Sequence, residues 1–301
     1  MNTNRFCLCI TMINFFLSES SNSQDFVEVL KVPWDTVGGI KTEVGYSEVI
    51  GLVDFTILND SSAALLCNVD KKVKIYNLIT DTLSYEFNLD EYCDYIEYDE
   101  TNKLFYLVNG EEAYVFSVDG NYLRTIQYNH NEYLSTGLII NNGQVLMKCN
   151  GQRFITLVDK GRVLNIDEQS YTVERGEILN DGTHIIVDGK IPQGEVEFNV
   201  FNDKFRKDFK IKTKQHSLGV KVIGIIDSIL IFIEYIESFD GTGGFDFKAE
   251  LNFYSLIDGE RIHANILKIY YTSINKEFEL FNDNLYNLIN AVDGATLLKL
   301  S

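Results

Sequence analysis

Four histidines, His130, His184, His216 and His263, are the only imidazoles in the chain, and no two are spaced in sequence as a local metal-ligand pair. A fold that gathers distant segments around an axis still brings such residues together. His130 and His216 lead into apolar runs that would reach such an axis, whereas His184 and His263 fall in segments expected to lie away from it. Carboxylates crowd the same kind of position. Asp94, Glu97, Asp99 and Glu100 cluster where one apolar run begins, Asp54 stands at the matching place one run earlier, and Glu177 and Glu277 recur at later starts. Hard oxygen donors arranged in a ring suit Ca²⁺, and the same donors joined by imidazole suit Zn²⁺. One candidate chemistry is therefore a metal-assisted reaction using Asp54, Asp94, Glu97, His130 and His216. The opposing reading is that these are solvated charges in a chain with 44 acidic residues.

A second candidate function is recognition. Residues 237–248 read Glu-Ser-Phe-Asp-Gly-Thr-Gly-Gly-Phe-Asp-Phe-Lys, an insertion combining three glycines with Phe239, Phe245 and Phe247 and with Asp240 and Asp246. Long loops with aromatic anchors suit partner binding, and a long hairpin folded back on its own sheet fits the same residues. Trp34, the sole tryptophan, is a further candidate anchor. Gly243-Gly244 is no phosphate loop, because no Lys-Ser/Thr pair and no helical pattern follow it. The chain also lacks Gly-x-Ser-x-Gly, His-Glu-x-x-His and Gly-x-Gly-x-x-Gly, which leaves serine hydrolysis and dinucleotide chemistry without support.

The elements that must position these residues are strands. Of 301 residues, 45% are hydrophobic and 13% aromatic, with 20 Phe and 17 Tyr but only 2 Pro. Aromatic enrichment of this kind suits pleated, half-buried strands. The net charge of −18 opposes the phosphate backbone, so nucleic acid is not an expected partner. At the N-terminus a polar stretch with Arg5 leads into the apolar run 6–17 and then into small polar residues, with Ser21 and Ser23 ahead of a cut before Gln24. This is the layout of a signal peptide over residues 1–23, and the apolar run is too short for a transmembrane span. Export to the periplasm or the extracellular space is the expectation, with a single domain over 24–301. Losing residues 1–23 removes one charge of each sign, together with Cys7 and Cys9. Cys67, Cys93 and Cys149 remain, too far apart for a disulfide framework or a zinc site, and are expected in the core.

Repetition is the dominant pattern. From about residue 50 onward, short alternating runs are separated by turn residues. Val53–Leu58, Ala64–Val69, Val73–Leu78 and Leu83–Phe87 form one four-strand unit, and the next begins at Asp94. Taking the polar residue that ends each first strand, Asn59, Asp99, Asn141, Asn180, Asp227 and Asn282 are spaced by 40, 42, 39, 47 and 55 residues. Four strands per unit at this period predict an all-β, six-bladed β-propeller with antiparallel blades. The last unit lacks an outer strand, and Phe26–Val32 is the spare run that would supply it and close the ring.

The stretch from Leu104 to Gly120, with its Asn109-Gly110 and Asp119-Gly120 turns, resembles the repeat of NHL-like six-bladed propellers. Val32-Pro33-Trp34-Asp35 with Gly38-Gly39, followed by Val53 to Asn59, is similar to the opening of secreted bacterial propellers of that kind. The resemblance implies a platform that binds a protein or a small ligand at its rim or channel, without a cofactor. As the alternative, it implies a metal-dependent lyase or lactonase using Ca or Zn in the axial channel. The first of these is the functional expectation, with Trp34, Phe239, Asp240, Phe245, Asp246 and Phe247 as its contact residues.

Overall fold

Ser62–Cys67 shows why the chain folds as it does. Five of its six residues are buried, and successive side chains leave opposite faces of the sheet. Ala63, Leu65 and Cys67 pack with Leu30, Val32, Tyr286 and Leu297, whereas Ala64 and Leu66 pack with Ile96, Phe105 and Leu107. A sheet covered on both faces reads as a continuous apolar run, and only neighbours on either side can bury it. Leu65 and Leu66 each contribute about 1.5–3 kcal/mol by full burial.

The computed structural model describes residues 26–300 except 45–48, 111, 129–134, 142, 150–152, 170, 174–175, 190–193, 240–244, 268–275 and 292. Six antiparallel sheets form the ring. Blade one comprises Leu52–Asn59, Ser62–Cys67, Lys72–Asn77 and Thr82–Asn88, and blade two Tyr95–Asp99, Leu104–Val108, Glu112–Ser117 and Tyr122–Gln127. Blade three comprises Ser135–Asn141, Gln144–Cys149 and Arg153–Asp159. Its outer position is divided between Arg162–Val163 and Tyr171–Val173, on either side of the 3₁₀ turn Ile166–Glu168. Blade four is built from Glu177–Ile178, His184–Asp188, Glu195–Phe201 and Arg206–Lys212, and blade five from Ser217–Ile226, Ile229–Phe239, Phe245–Ser255 and Arg261–Leu267. Phe278–Phe281, Asn284–Ala291 and Gly294–Leu300 begin blade six, and the N-terminal strand Phe26–Pro33 completes it. That strand runs antiparallel to Gly294–Leu300, with Leu30 opposite Leu297 and Pro33 opposite Gly294. The closure expected from the missing outer strand is the one found.

The first strand of every blade is innermost and lines the axis, while outer strands such as Thr82–Asn88 alternate exposed and partly buried residues. Blades also interlock through their turns. Gly120, in the Asp-Gly turn of blade two, has φ +79°, and a Cβ there would lie 2.5 Å from Phe87 of blade one. Only glycine fits that approach. The segment joining blade six to blade one is held by Lys74, which is buried, pairs with Asp70 at 2.9 Å and donates to the Gly39 carbonyl. The 237–248 insertion extends the middle hairpin of blade five. Ile229–Phe239 pairs with Phe245–Ser255 up to Phe239 opposite Phe245. Among the described residues no helix is long and apolar enough to cross a membrane.

Candidate functional site

The inner strands enclose a cavity of about 470 Å³ on the ring axis. Its mouth lies where these strands begin and is charged. Its waist is apolar, formed by residues such as Leu138, Ile178, Val222 and Leu280, and its far end carries Asn180, Asp181, Asn282 and Asp283 from the turns that follow.

At the mouth, blades six, one and two converge on one ammonium. Lys276, two residues ahead of blade six's inner strand, places Nζ 2.7 Å from Glu97 Oε1 of blade two and 3.1 Å from Glu279 Oε2 of its own blade. The same Nζ lies 3.4 Å from the Ile96 carbonyl and 5.6 Å from the centre of the Phe55 ring. The three charged side chains are 20%, 17% and 12% exposed, in the order Lys276, Glu97, Glu279. Glu279 also reaches blade one, where its Oε1 accepts from the Ile57 N–H at 2.9 Å and from the Thr56 hydroxyl at 3.2 Å. Asp54, 1% exposed, accepts from the N–H groups of Phe55 and, in blade two, Ile96, both at 2.8 Å. The physical reason is the inner strand's free edge. An innermost strand has no partner on the axial side, and its N–H groups need acceptors. Asp54 and Glu279 provide them and so tie neighbouring blades together.

Burial dominates the titration of these acids. It pushes Asp54 up to about 7 against the pull of Lys276 and the two N–H donors, and Glu97 up to about 8 against the pull of Lys276. For Lys276, burial opposes the charge but is outweighed by Glu279, Glu97 and Asp54, so its pKa is raised. Carboxylates poised near neutrality in a cleft are able to exchange protons, and ion-pair networks that hold a structure together perturb acids in the same way. Across the cavity, Lys148 of blade three pairs with Glu177 of blade four.

Of the residues singled out in the sequence as metal ligands, Asp54 and Glu97 line this cavity and Asp94 does not. His216 precedes the inner strand of blade five and is not part of the lining, and His130 lies outside the described residues. His184 and His263 sit off the axis, stacked on Phe201 and tilted against Phe253 respectively. Among the described residues no three His, Cys, Asp or Glu side chains gather as a metal site. Trp34 is half-buried, bridged to Ile40 and packed on the core between blades six and one. Phe239, Phe245, Asp246 and Phe247 lie in the paired strands of blade five, and Asp240 lies outside the described residues. Cys67, Cys93 and Cys149 are free and buried, and burial lifts the thiols of Cys93 and Cys149 to about 12 and 11. Lys276, Lys148 and Lys221 escaped the sequence reading. The available signal is positional, because Lys276 adjoins Glu277 at a blade start.

The sequence matches no protein-family model and no curated protein. Among solved structures it is similar to hydrazine synthase of Kuenenia stuttgartiensis, with TM-score 0.51 and 13% identity over 81% of this chain and 76% of that one. BamB from Moraxella catarrhalis gives TM-score 0.47 and 10% identity over 92% and 100%. The WD40 β-propeller domain of Doa1 gives 0.44 and 10% over 91% and 96%. At such identities the likeness to hydrazine synthase concerns the fold alone.

Proposed function

We propose that the chain is an exported, non-catalytic binding module of the NHL-like propeller kind whose ligand occupies the axial cavity, with the long hairpin of blade five available to a protein partner at the rim. The observation that carries this is the cavity itself. A volume of about 470 Å³ with an apolar waist and a charged mouth is the size and character of a small-molecule site. The mouth's perturbed acids are engaged in holding the ring, since Asp54 and Glu279 cap backbone N–H groups and Glu97 is paired with Lys276. A metal-dependent lyase or lactonase is the second reading. It draws on Asp54 and Glu97, which do line the cavity, but Lys276 already supplies a positive charge there.

The test uses Thr136, an exposed residue of the lining on blade three. Thr136→Trp places an indole in the mouth without entering the core. Thermal-shift screening of amino acids, short peptides, sugars and organic acids is run on wild type and variant. A saturating ligand at a hundred times its Kd stabilises by about 2.7 kcal/mol. Compounds that raise Tm in wild type and not in T136W support the cavity reading. Compounds acting equally on both, or no active compound at all, overturn it.

A further inference from the structure

The cavity's charges divide into those already engaged and those that are not. Near the mouth, Lys276 is held by Glu97 and Glu279, Lys148 by Glu177, and Asp54 by two backbone N–H groups. Three charged lining groups make no hydrogen bond or ion pair through their side chains among the described residues: Asp283 in the turn at the far end, and, toward the mouth, two of opposite sign, Lys221 on the inner strand of blade five and Glu277 just ahead of the inner strand of blade six. The latter two are neighbours in the ring. Gly224 of blade five lies against Leu280 of blade six, where a Cβ would come within 2.2 Å of Leu280 Cδ1, and Lys221 and Glu277 each precede that contact by three residues. Glu277 is also near enough to blade five to act on Tyr235. Burial first, and the Glu277 charge second, lift the Tyr235 phenol to about 12.

Below this pair the lining turns apolar, with Leu138, Ile139, Ile178, Val222, Ile225 and Leu280. A ligand matching the cavity needs one anionic and one cationic group at one end and an apolar body at the other. Glu277 is half-buried and Lys221 is exposed at the open end of the lining, and charges of opposite sign so placed are matched best by a ligand that carries both signs, because each then makes a charge-assisted hydrogen bond. We propose that the cavity binds a zwitterion with an apolar body, of the class of apolar amino acids and their short peptides, with its carboxylate on Lys221 and its ammonium on Glu277. This rests on the axial-cavity reading above.

The probe is leucyl-leucine, titrated calorimetrically into wild type, Lys221→Met, Glu277→Gln and Thr136→Trp, alongside its C-terminal amide and its N-acetyl form. Leucyl-leucine is expected to bind wild type and to lose at least tenfold in affinity in K221M and in E277Q. The amide, lacking the carboxylate, is expected to be indifferent to K221M, and the N-acetyl form, lacking the ammonium, indifferent to E277Q. Lys210→Met, at an exposed outer strand of blade four, controls for net charge and should leave binding unchanged. No binding of leucyl-leucine, or equal affinity in all charge variants, overturns the zwitterion assignment, as does an equal loss in K210M. If other compounds from the screen still depend on Thr136 while leucyl-leucine fails, the zwitterion assignment falls and the cavity reading stands. If nothing senses T136W, both fall.

Discussion

Replacing Lys276 by methionine keeps most of the side chain's length over Phe55 and removes its charge. The structure sets the size and the pH dependence of the result. Glu97 and Glu279, at 2.7 and 3.1 Å from Nζ and no more than 17% exposed, are left without their cation. Breaking a buried pair in this way costs about 3–5 kcal/mol. For Asp54 and Glu97 the cost applies only while they are ionised. In the wild type Asp54 titrates near 7 and Glu97 near 8, above their unfolded values close to 4. Acids raised in the fold bind protons more tightly there. Their contribution is complete below about pH 4 and is lost as pH rises through 7 to 8. Raising one such acid from about 4 to 7 or 8 is on the order of 4 kcal/mol, and because the two share Lys276 they titrate together rather than adding independently. Wild-type stability should therefore fall between pH 5 and pH 8, and K276M should fall further. Urea unfolding followed by far-ultraviolet circular dichroism at pH 5, 6.5 and 8 is the assay. The deficit of K276M against wild type should be smaller at pH 5 than at pH 8, where it reaches about 3–5 kcal/mol, with Glu97→Gln in the same chain recovering about 2 kcal/mol at pH 8. An equal loss at pH 5 and pH 8 would refute the argument, because it would make Lys276 a packing residue.

Gly120→Ala should destabilise by about 1–3 kcal/mol, seen as a lowered Tm, since alanine must hold a positive φ and its Cβ meets Phe87 at 2.5 Å. Leu30→Ala, in the strand that closes blade six, should cost about 2–5 kcal/mol by urea unfolding. A loss below about 1 kcal/mol would mean that this strand lies outside the cooperative unit. Chelation with EDTA should leave Tm within about 1 °C and metal content substoichiometric by mass spectrometry, because Lys276 already holds the mouth's carboxylates. A stoichiometric Ca or Zn whose removal lowers Tm would instead favour the lyase or lactonase reading and put the ion at Asp54 and Glu97.

The period near 40 and the spare run at Phe26 were legible because strand alternation and turn residues are local properties, written within a few positions of one another. Six blades and the pairing of the first segment with the last follow from that arithmetic. Asp54 and Glu97 were legible as axial for the same reason, since each is the third residue of an inner strand. The cation between them was not. Lys276 meets Glu97 across 179 positions of sequence and over the strand of an intervening blade, and no local pattern ranks one blade-start lysine above another. Trp34 looked like an exposed anchor on composition, whereas closing the ring folds its segment against the core between blades six and one. In residues 237–248 the glycines suggested a loop, and the neighbouring strands carry their pairing through to Phe239 and Phe245. Strands, blade count and the route of closure are written in the order of residues, because each depends on alternation and turn chemistry. Which charges pair, and that Lys221 and Glu277 stay unpaired toward the mouth, follows from the closed ring, because electrostatic partnership depends on distances that exist only there.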